Sequence, residues 1–224
     1  MILSIFSGLI AGILHTISGP DHLAAVAPFA AEKKQASWRT GLRWGAGHSA
    51  GVWLIGLVVL PLKAHFSISV LSSWSEFLVG ISLVGIGIWS LRKALKQKIH
   101  SHTHVHDGIR HTHFHKHSQS HRDPEATRHE HSHAPTAIGM LHGLAGSSHL
   151  FGIIPALMLP SIYAAGGYII AFGLGSIIAM SGVSFVIGAL AQRLSINAVL
   201  YNRFLLGISG LTIVIGIFWI YQTS

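Results

Sequence analysis

The stretch GILHTISGPDHLAAVAP, Gly12 to Pro28, decides how this chain is read, because it lies in an apolar run yet holds His15, Asp21 and His22 around a Gly19-Pro20 break. Ionisable groups within an apolar segment are costly unless they pair or bind something. Half of the stretch returns 127 residues later as GMLHGLAGSSHLFGIIP, Gly139 to Pro155, with His142 and His149 in the places of His15 and His22. Any fold assigned to the chain has to house both copies.

The rest of the chain sets the solvent. Half of its 224 residues are hydrophobic and only 10% are charged, where a soluble domain carries roughly 25%. The mean hydropathy is +0.54. Long apolar runs of this kind mark an all-α polytopic membrane protein. The segment MILSIFSGLIAGIL, Met1 to Leu14, lacks a basic stretch and a small-residue cleavage site, so it reads as a first span rather than a removable signal. The chain contains no cysteine, which excludes thiolate metal sites and thiol–disulfide relays.

Six apolar segments are expected as spans, near residues 2–31, 44–62, 76–95, 136–160, 164–191 and 204–222. A span needs roughly 20 residues. The first is therefore too long for one straight helix, and helices 1 and 4 are expected to be broken. The domains expected are residues 1–95 and 136–224, each a three-helix unit, joined by a flexible His-rich loop over 96–135. Fourteen of the fifteen basic residues fall in the first, third and fifth connections, and only Lys63 lies opposite. The positive-inside rule makes that side cytoplasmic. This predicts a multi-pass protein of the cell (inner) membrane with both termini extracytoplasmic and the His-rich loop cytoplasmic. Orientation thus accounts for the net charge of +8, and a nucleic-acid partner is not expected because the cations are scattered with little aromatic interleaving.

The two halves align over more than the opening motif. Gly12, Leu14, His15, Gly19, His22, Leu23 and Pro28 match Gly139, Leu141, His142, Gly146, His149, Leu150 and Pro155, and FLVGIS at Phe77 matches FLLGIS at Phe204. With a one-residue slip, WGAGHS at Trp44 lies over FGLGSI at Phe172, so His48 has Ser176 as its counterpart. Three spans per copy is an odd number, so the copies are expected to cross the membrane in opposite senses. This is the inverted-repeat plan of secondary transporters, whose sites lie where helices are interrupted.

The intramembrane ionisable residues are His15, Asp21, His22, His48, His142 and His149. Each costs about 2.5–3.5 kcal/mol to insert, and such residues mark sites or pathways. Neutral imidazole with carboxylate suits borderline divalent ions such as Ni²⁺, Co²⁺ and Zn²⁺. In an unbroken helix His15 and His22 would stand about 10.5 Å apart along the axis. The Gly-Pro break lets them converge, and Asp21 either supplies charge or orients a histidine. The competing reading is interhelical hydrogen-bond glue, which is harder to sustain for five histidines and an aspartate. A second set of metal-binding candidates is accessory and lies in the loop: His100, His102, His104, His106, His111, His113, His115, His117, His121, His129, His131 and His133.

HTISGPDHLAAVAP from His15, RWGAGHSAG from Arg43 and GMLHGLAGSSHL from Gly139 resemble the nickel/cobalt transporter superfamily, in its NicO branch with UreH-like and RcnA-like members. The resemblance covers all six spans. It implies a permease, not an enzyme, that moves Ni²⁺ or Co²⁺, with Zn²⁺ and Fe²⁺ as lesser candidates and no permanently bound cofactor. The family's ligands follow a His-x4-Asp-His pattern, whereas five residues separate His15 from Asp21 here. No Gly-x4-Gly-Lys-Ser/Thr loop is present, so transport is expected to be secondary, and no His-Glu-x-x-His supports a metalloprotease. A redox carrier of the cytochrome-biogenesis type shares a related architecture, but the missing cysteines remove its chemistry. The His-rich loop tilts the direction toward efflux. The alternatives are a nickel uptake permease supplying urease or hydrogenase, and a membrane-anchored metal buffer or sensor. The partners implied are the metal ion, the lipid bilayer and a cytoplasmic metallochaperone.

Overall fold

The computed structural model describes residues 1–59, 68–96, 100–106, 109–115, 133–144 and 152–223. In chain order these form α1 (Ile2–Ser18), α2 (Pro20–Lys33), a 3₁₀ turn (Lys34–Ala36), α3 (Ser37–Val59), α4 (Ile68–Lys96), β1 (His100–His106), β2 (Ile109–His115), α5 (Ala134–Leu144), α6 (Ile154–Leu157), α7 (Ile162–Leu194) and α8 (Ala198–Thr223). Among the described residues the membrane body is built of helices.

Several helix boundaries have a local cause. α1 stops where Gly19 turns extended, at φ −80° and ψ 105°. Pro20 then opens α2 at a position where its missing N–H costs nothing. The two helices bend by 71° across that single residue, so the expected break in the first segment is present. α2 is stopped by Lys34, which takes a positive φ of 48°, a conformation that non-glycine residues rarely hold. Ser161 caps α7 by accepting from the Ala164 N–H at 3.2 Å. Asn197 does the same for α8, taking the N–H groups of Val199 and Leu200 at 3.0 and 3.1 Å.

Among the described residues three helices are long and apolar enough to cross a membrane, Glu76–Lys96 within α4, α7 and α8, and the bent α1–α2 pair makes a fourth if it is one span. The expected second span begins earlier than position 44, since α3 starts at Ser37. Its 23 residues include Arg39, Arg43, Thr40 and His48, which lowers its hydropathy below that of α7 and α8. In the expected fourth segment the described helix, α5, has 11 residues. That is about 16 Å of helix, about half a hydrocarbon core.

Side chains explain how the helices meet. α1 lies on α7, α5 on α3, α3 on α7 and α4 on α8, with α2 tucked beneath α3, α7 and α8. A Cβ at Gly12 would strike the carbonyl of Phe172, and one at Gly139 would strike the carbonyl of Trp44. Each of these helices therefore approaches its partner backbone to backbone, as small residues permit in membranes. Trp44, Val26, Leu83 and Met180 centre one buried cluster; Val52, Ile153, Ile169 and Phe172 centre another. Large apolar side chains such as Phe6, Ile170, Ile178, Phe185, Val214 and Phe218 are exposed, which suits a lipid surface and would be a liability in water.

One end of the bundle collects cations. Lys93 Nζ meets Glu32 Oε2 at 2.6 Å, tying α4 to α2. Lys34 Nζ stands 5.2 Å over the Tyr201 ring, tying the 3₁₀ turn to α8. Gly188 of α7 abuts Ser37 at the start of α3. Along the His-rich connection, expected to be without regular structure, β1 and β2 pair antiparallel with His100 opposite His115, His102 opposite His113 and His104 opposite His111. His117, His121, His129 and His131 lie outside the described residues, as do Lys63, Gly146, Ser147, Ser148 and His149.

Candidate functional site

Four separate helices supply the histidines. His15 sits in the last turn of α1, His22 in the first turn of α2, His48 midway along α3 and His142 in the last turn of α5. All four are buried, none more than 4% exposed. The bend at Gly19 does what a straight helix could not: the His15 and His22 ring centres are 4.6 Å apart. His48 stands 5.6 Å from His15 and 5.2 Å from His22. One ligand atom from each of His15, His22 and His48 lies within 4.8 Å of the others. His142 is set slightly back, 6.1 Å from His22 ring to ring.

Local structure positions these rings. The Cβ of any residue replacing Gly19 would press on the His22 imidazole, so the same glycine both ends α1 and makes room for the ring. Neither nitrogen of His22 has a hydrogen-bond partner among the described residues. Asp21 Oδ2 is 3.7 Å from its Nε2, too far for a hydrogen bond but close enough for charge to matter. Asp21 is buried and lies in the first turn of α2, where the helix dipole favours an anion. His142 Nδ1 donates to the Ile138 carbonyl at 2.9 Å. That bond fixes the tautomer and leaves the lone pair on Nε2.

Two aromatic residues wall the cluster, and the sequence reading missed both. The Trp44 ring lies 5.3 Å from His22, 5.2 Å from His48 with the planes only 15° apart, and 5.3 Å from His142. Phe172 stands 5.3 Å from His15. Their signal was the alignment of WGAGHS with FGLGSI, in which Trp44 and Phe172 are counterparts. Behind them, Ser176 Oγ donates to the carbonyls of Gly12 and Phe172 at 3.3 and 3.1 Å, and Ser49 Oγ donates to the Gly173 carbonyl at 2.8 Å.

The structure thus brings together His15, Asp21, His22, His48 and His142; His149 is outside the described residues. Of the twelve loop histidines, His133 is exposed at the start of α5, and seven hold positions in β1 and β2. Chemically, the buried set offers several imidazole nitrogens and one carboxylate in an enclosure walled by protein. Such a set suits a borderline divalent cation.

The chain is 34% identical to the chloroplast protein FOR GROWTH AND FERTILITY 1 of Arabidopsis thaliana, over 85% of its own length and 51% of that protein's. It is 32% identical to FOR GROWTH AND FERTILITY 2 of the same plant, over 85% and 48%. The chain therefore spans about half the length of these two relatives. It is 28% identical to the urease accessory protein UreH of Bacillus sp. (strain TB-90), over 96% of this chain and 89% of that one. The match to UreH agrees with the resemblance carried by HTISGPDHLAAVAP. No solved structure matches. The family described as the cytochrome C biogenesis protein transmembrane region matches from residue 4 to residue 218. Covering nearly the whole helical body, that match shows that the chain belongs to this family, as a member with no cysteine in its sequence.

Proposed function

We propose that the chain is a permease for divalent transition-metal ions, Ni²⁺ or Co²⁺, which bind between His15, His22 and His48 with His142 and Asp21 assisting. The observation that carries this reading is the convergence of three buried imidazoles, from three helices, with ligand atoms within 4.8 Å of one another. Glue between helices would need each nitrogen to find a protein partner; His22 finds none among the described residues. The metal is cargo, so the site has to release what it binds. A relative named as a urease accessory protein favours nickel, since urease is a nickel enzyme, and it favours supply over efflux. The His-rich ribbon pulls the other way, toward a cell handling excess metal.

The inverted repeat belongs to the same reading. α1 lies on α7 as α5 lies on α3. Gly12 abuts Phe172 as its counterpart Gly139 abuts Trp44, and Gly175 abuts Leu9 as Gly47 abuts Thr136. Paired contacts of this kind support two three-helix halves of opposite sense, rocking about a central site. The clustered cations at one end support that end as the cytoplasmic one.

Equilibrium Ni²⁺ binding to purified protein lacking residues 100–133 isolates the buried site from the ribbon. We expect one high-affinity ion per chain, lost in His22→Ala and in His48→Ala variants that elute as the parent does. Undiminished binding in both variants would overturn the assignment.

A further inference from the structure

The crossing of α3 and α7 is built differently on its two sides of the histidine cluster. Toward the basic end, Ser37 Oγ, Ser184 Oγ and Trp44 Nε1 are buried and have no hydrogen-bond partner among the described residues. Both serines face into the seam: Ser184 Oγ lies against Gly41 of α3, and Ser37 Oγ lies against Gly188 of α7. Trp44 follows one turn deeper than Gly41, and His48 one turn deeper again. From Ser37 to His48 this ladder climbs about 16 Å. Two nearby cations are turned aside, Lys34 over Tyr201 and Arg39 over Trp38.

Among the described residues the opposite side has no such ladder. Under the register that places Trp44 on Phe172, the counterparts of Ser37 and Ser184 are Ala165 and Gly56. Ala165 and Phe172 belong to a dense apolar cluster with Val52, Ile153 and Ile169. The polar groups there are paired across the seam: Ser49 Oγ donates to the Gly173 carbonyl and Trp53 Nε1 to the Ile169 carbonyl, at 2.8 and 3.1 Å.

A buried hydroxyl or indole N–H without a partner is costly, and water relieves it. Parting the seam at the basic end hydrates three such groups while uncovering Trp44 and Met180 of the first cluster, whereas parting it at the other end breaks two hydrogen bonds and wets the second cluster. The geometry points to the basic-end half of the α3/α7 seam, lined by Ser37 and Ser184 and closed by the Trp44 ring, as the hydrated route by which the histidine cluster exchanges its ion with that side. The inference rests on the permease reading for the identity of the ion, but not for the existence of the route. It makes Trp44 the barrier between route and site, since its ring contacts three of the four histidines.

The absence of native cysteine makes single-cysteine labelling of the full chain clean. Ser37→Cys, Ser184→Cys, Ala165→Cys and Gly56→Cys variants would be reconstituted in vesicles and treated from each side with a small, charged methanethiosulfonate reagent, with and without saturating Ni²⁺. Local opening at the basic end should make Ser184→Cys and Ser37→Cys react at least about tenfold faster than Ala165→Cys and Gly56→Cys, and only from that side. Ni²⁺ should slow the Ser184→Cys reaction. Fast labelling that Ni²⁺ leaves unchanged would support the route and count against the metal reading. Equal rates in all four variants, or faster reaction at Ala165→Cys, would overturn the route whatever Ni²⁺ does.

Discussion

Histidine occurs here in two settings with opposite physics. His15, His22, His48 and His142 come from four helices, are buried, and lie ring against ring. The twelve between His100 and His133 occupy one polar connection, seven of them at positions in a two-stranded ribbon. In water an imidazole costs little to place and gains little geometry. In a membrane core each one is expensive, and its position has to be held by a break, a close glycine contact or a backbone hydrogen bond. The smaller set is therefore the one whose geometry is specified. We assign selectivity to the buried set and capacity to the ribbon, and four measurements test that division.

The largest effect should come from the buried set itself. His48→Ala, with the ribbon intact, should lower Ni²⁺ flux into vesicles by more than about 100-fold, beyond the roughly 10–100-fold usual when a supporting residue is lost. Flux within a few-fold of the parent would collapse the distinction. Asp21→Asn comes next. It keeps the shape of α2 and removes the charge 3.7 Å from His22, so a loss of roughly 10–100-fold in metal affinity is expected, measured by titration.

Acid should act more gently. Protons compete with metal for imidazole, and free imidazole titrates near pH 6.5. Affinity should therefore fall as the medium is acidified and recover on return to neutral pH. A flat profile would argue that histidines are not the principal ligands. The smallest effect belongs to the ribbon. Deleting residues 100–133 should shift the concentration dependence of flux a few-fold and leave its maximum standing. Complete loss in a well-inserted deletion would show that the ribbon, not the cluster, is the working site.

The sequence made some of this legible and hid the rest for physical reasons. Gly19-Pro20 was readable as a break because proline lacks an N–H and its neighbour leaves helical geometry, and the 71° bend stands where those residues stand. Repetition of His15 as His142 was readable because histidine is rare in apolar runs. The extent of α3 was not. Its hydropathy is diluted by the polar residues it carries, so the helix begins at Ser37 although the apolar run begins near Trp44. Trp44 carries no signal of its own in the sequence, since only its three histidine neighbours distinguish it and those are His22, His48 and His142 on three helices. The ribbon was hidden by its composition. HSHTHVH alternates with period 2, the strand signal, but the repeating residue is histidine and a reading tuned to apolar alternation passes over it.

The stacking of Trp44 on His48 and its contact with His22 and His142 give the molecule an optical handle. Indole emission responds to what its neighbours bind, and open-shell ions such as Ni²⁺ and Co²⁺ quench it at short range. Of the six tryptophans in the chain, this is the one whose ring contacts three of the buried histidines. The difference in fluorescence between the parent and a Trp44→Phe variant is thus an intrinsic gauge of site occupancy. It allows filling and emptying to be followed in time, without a dye or a radioactive tracer.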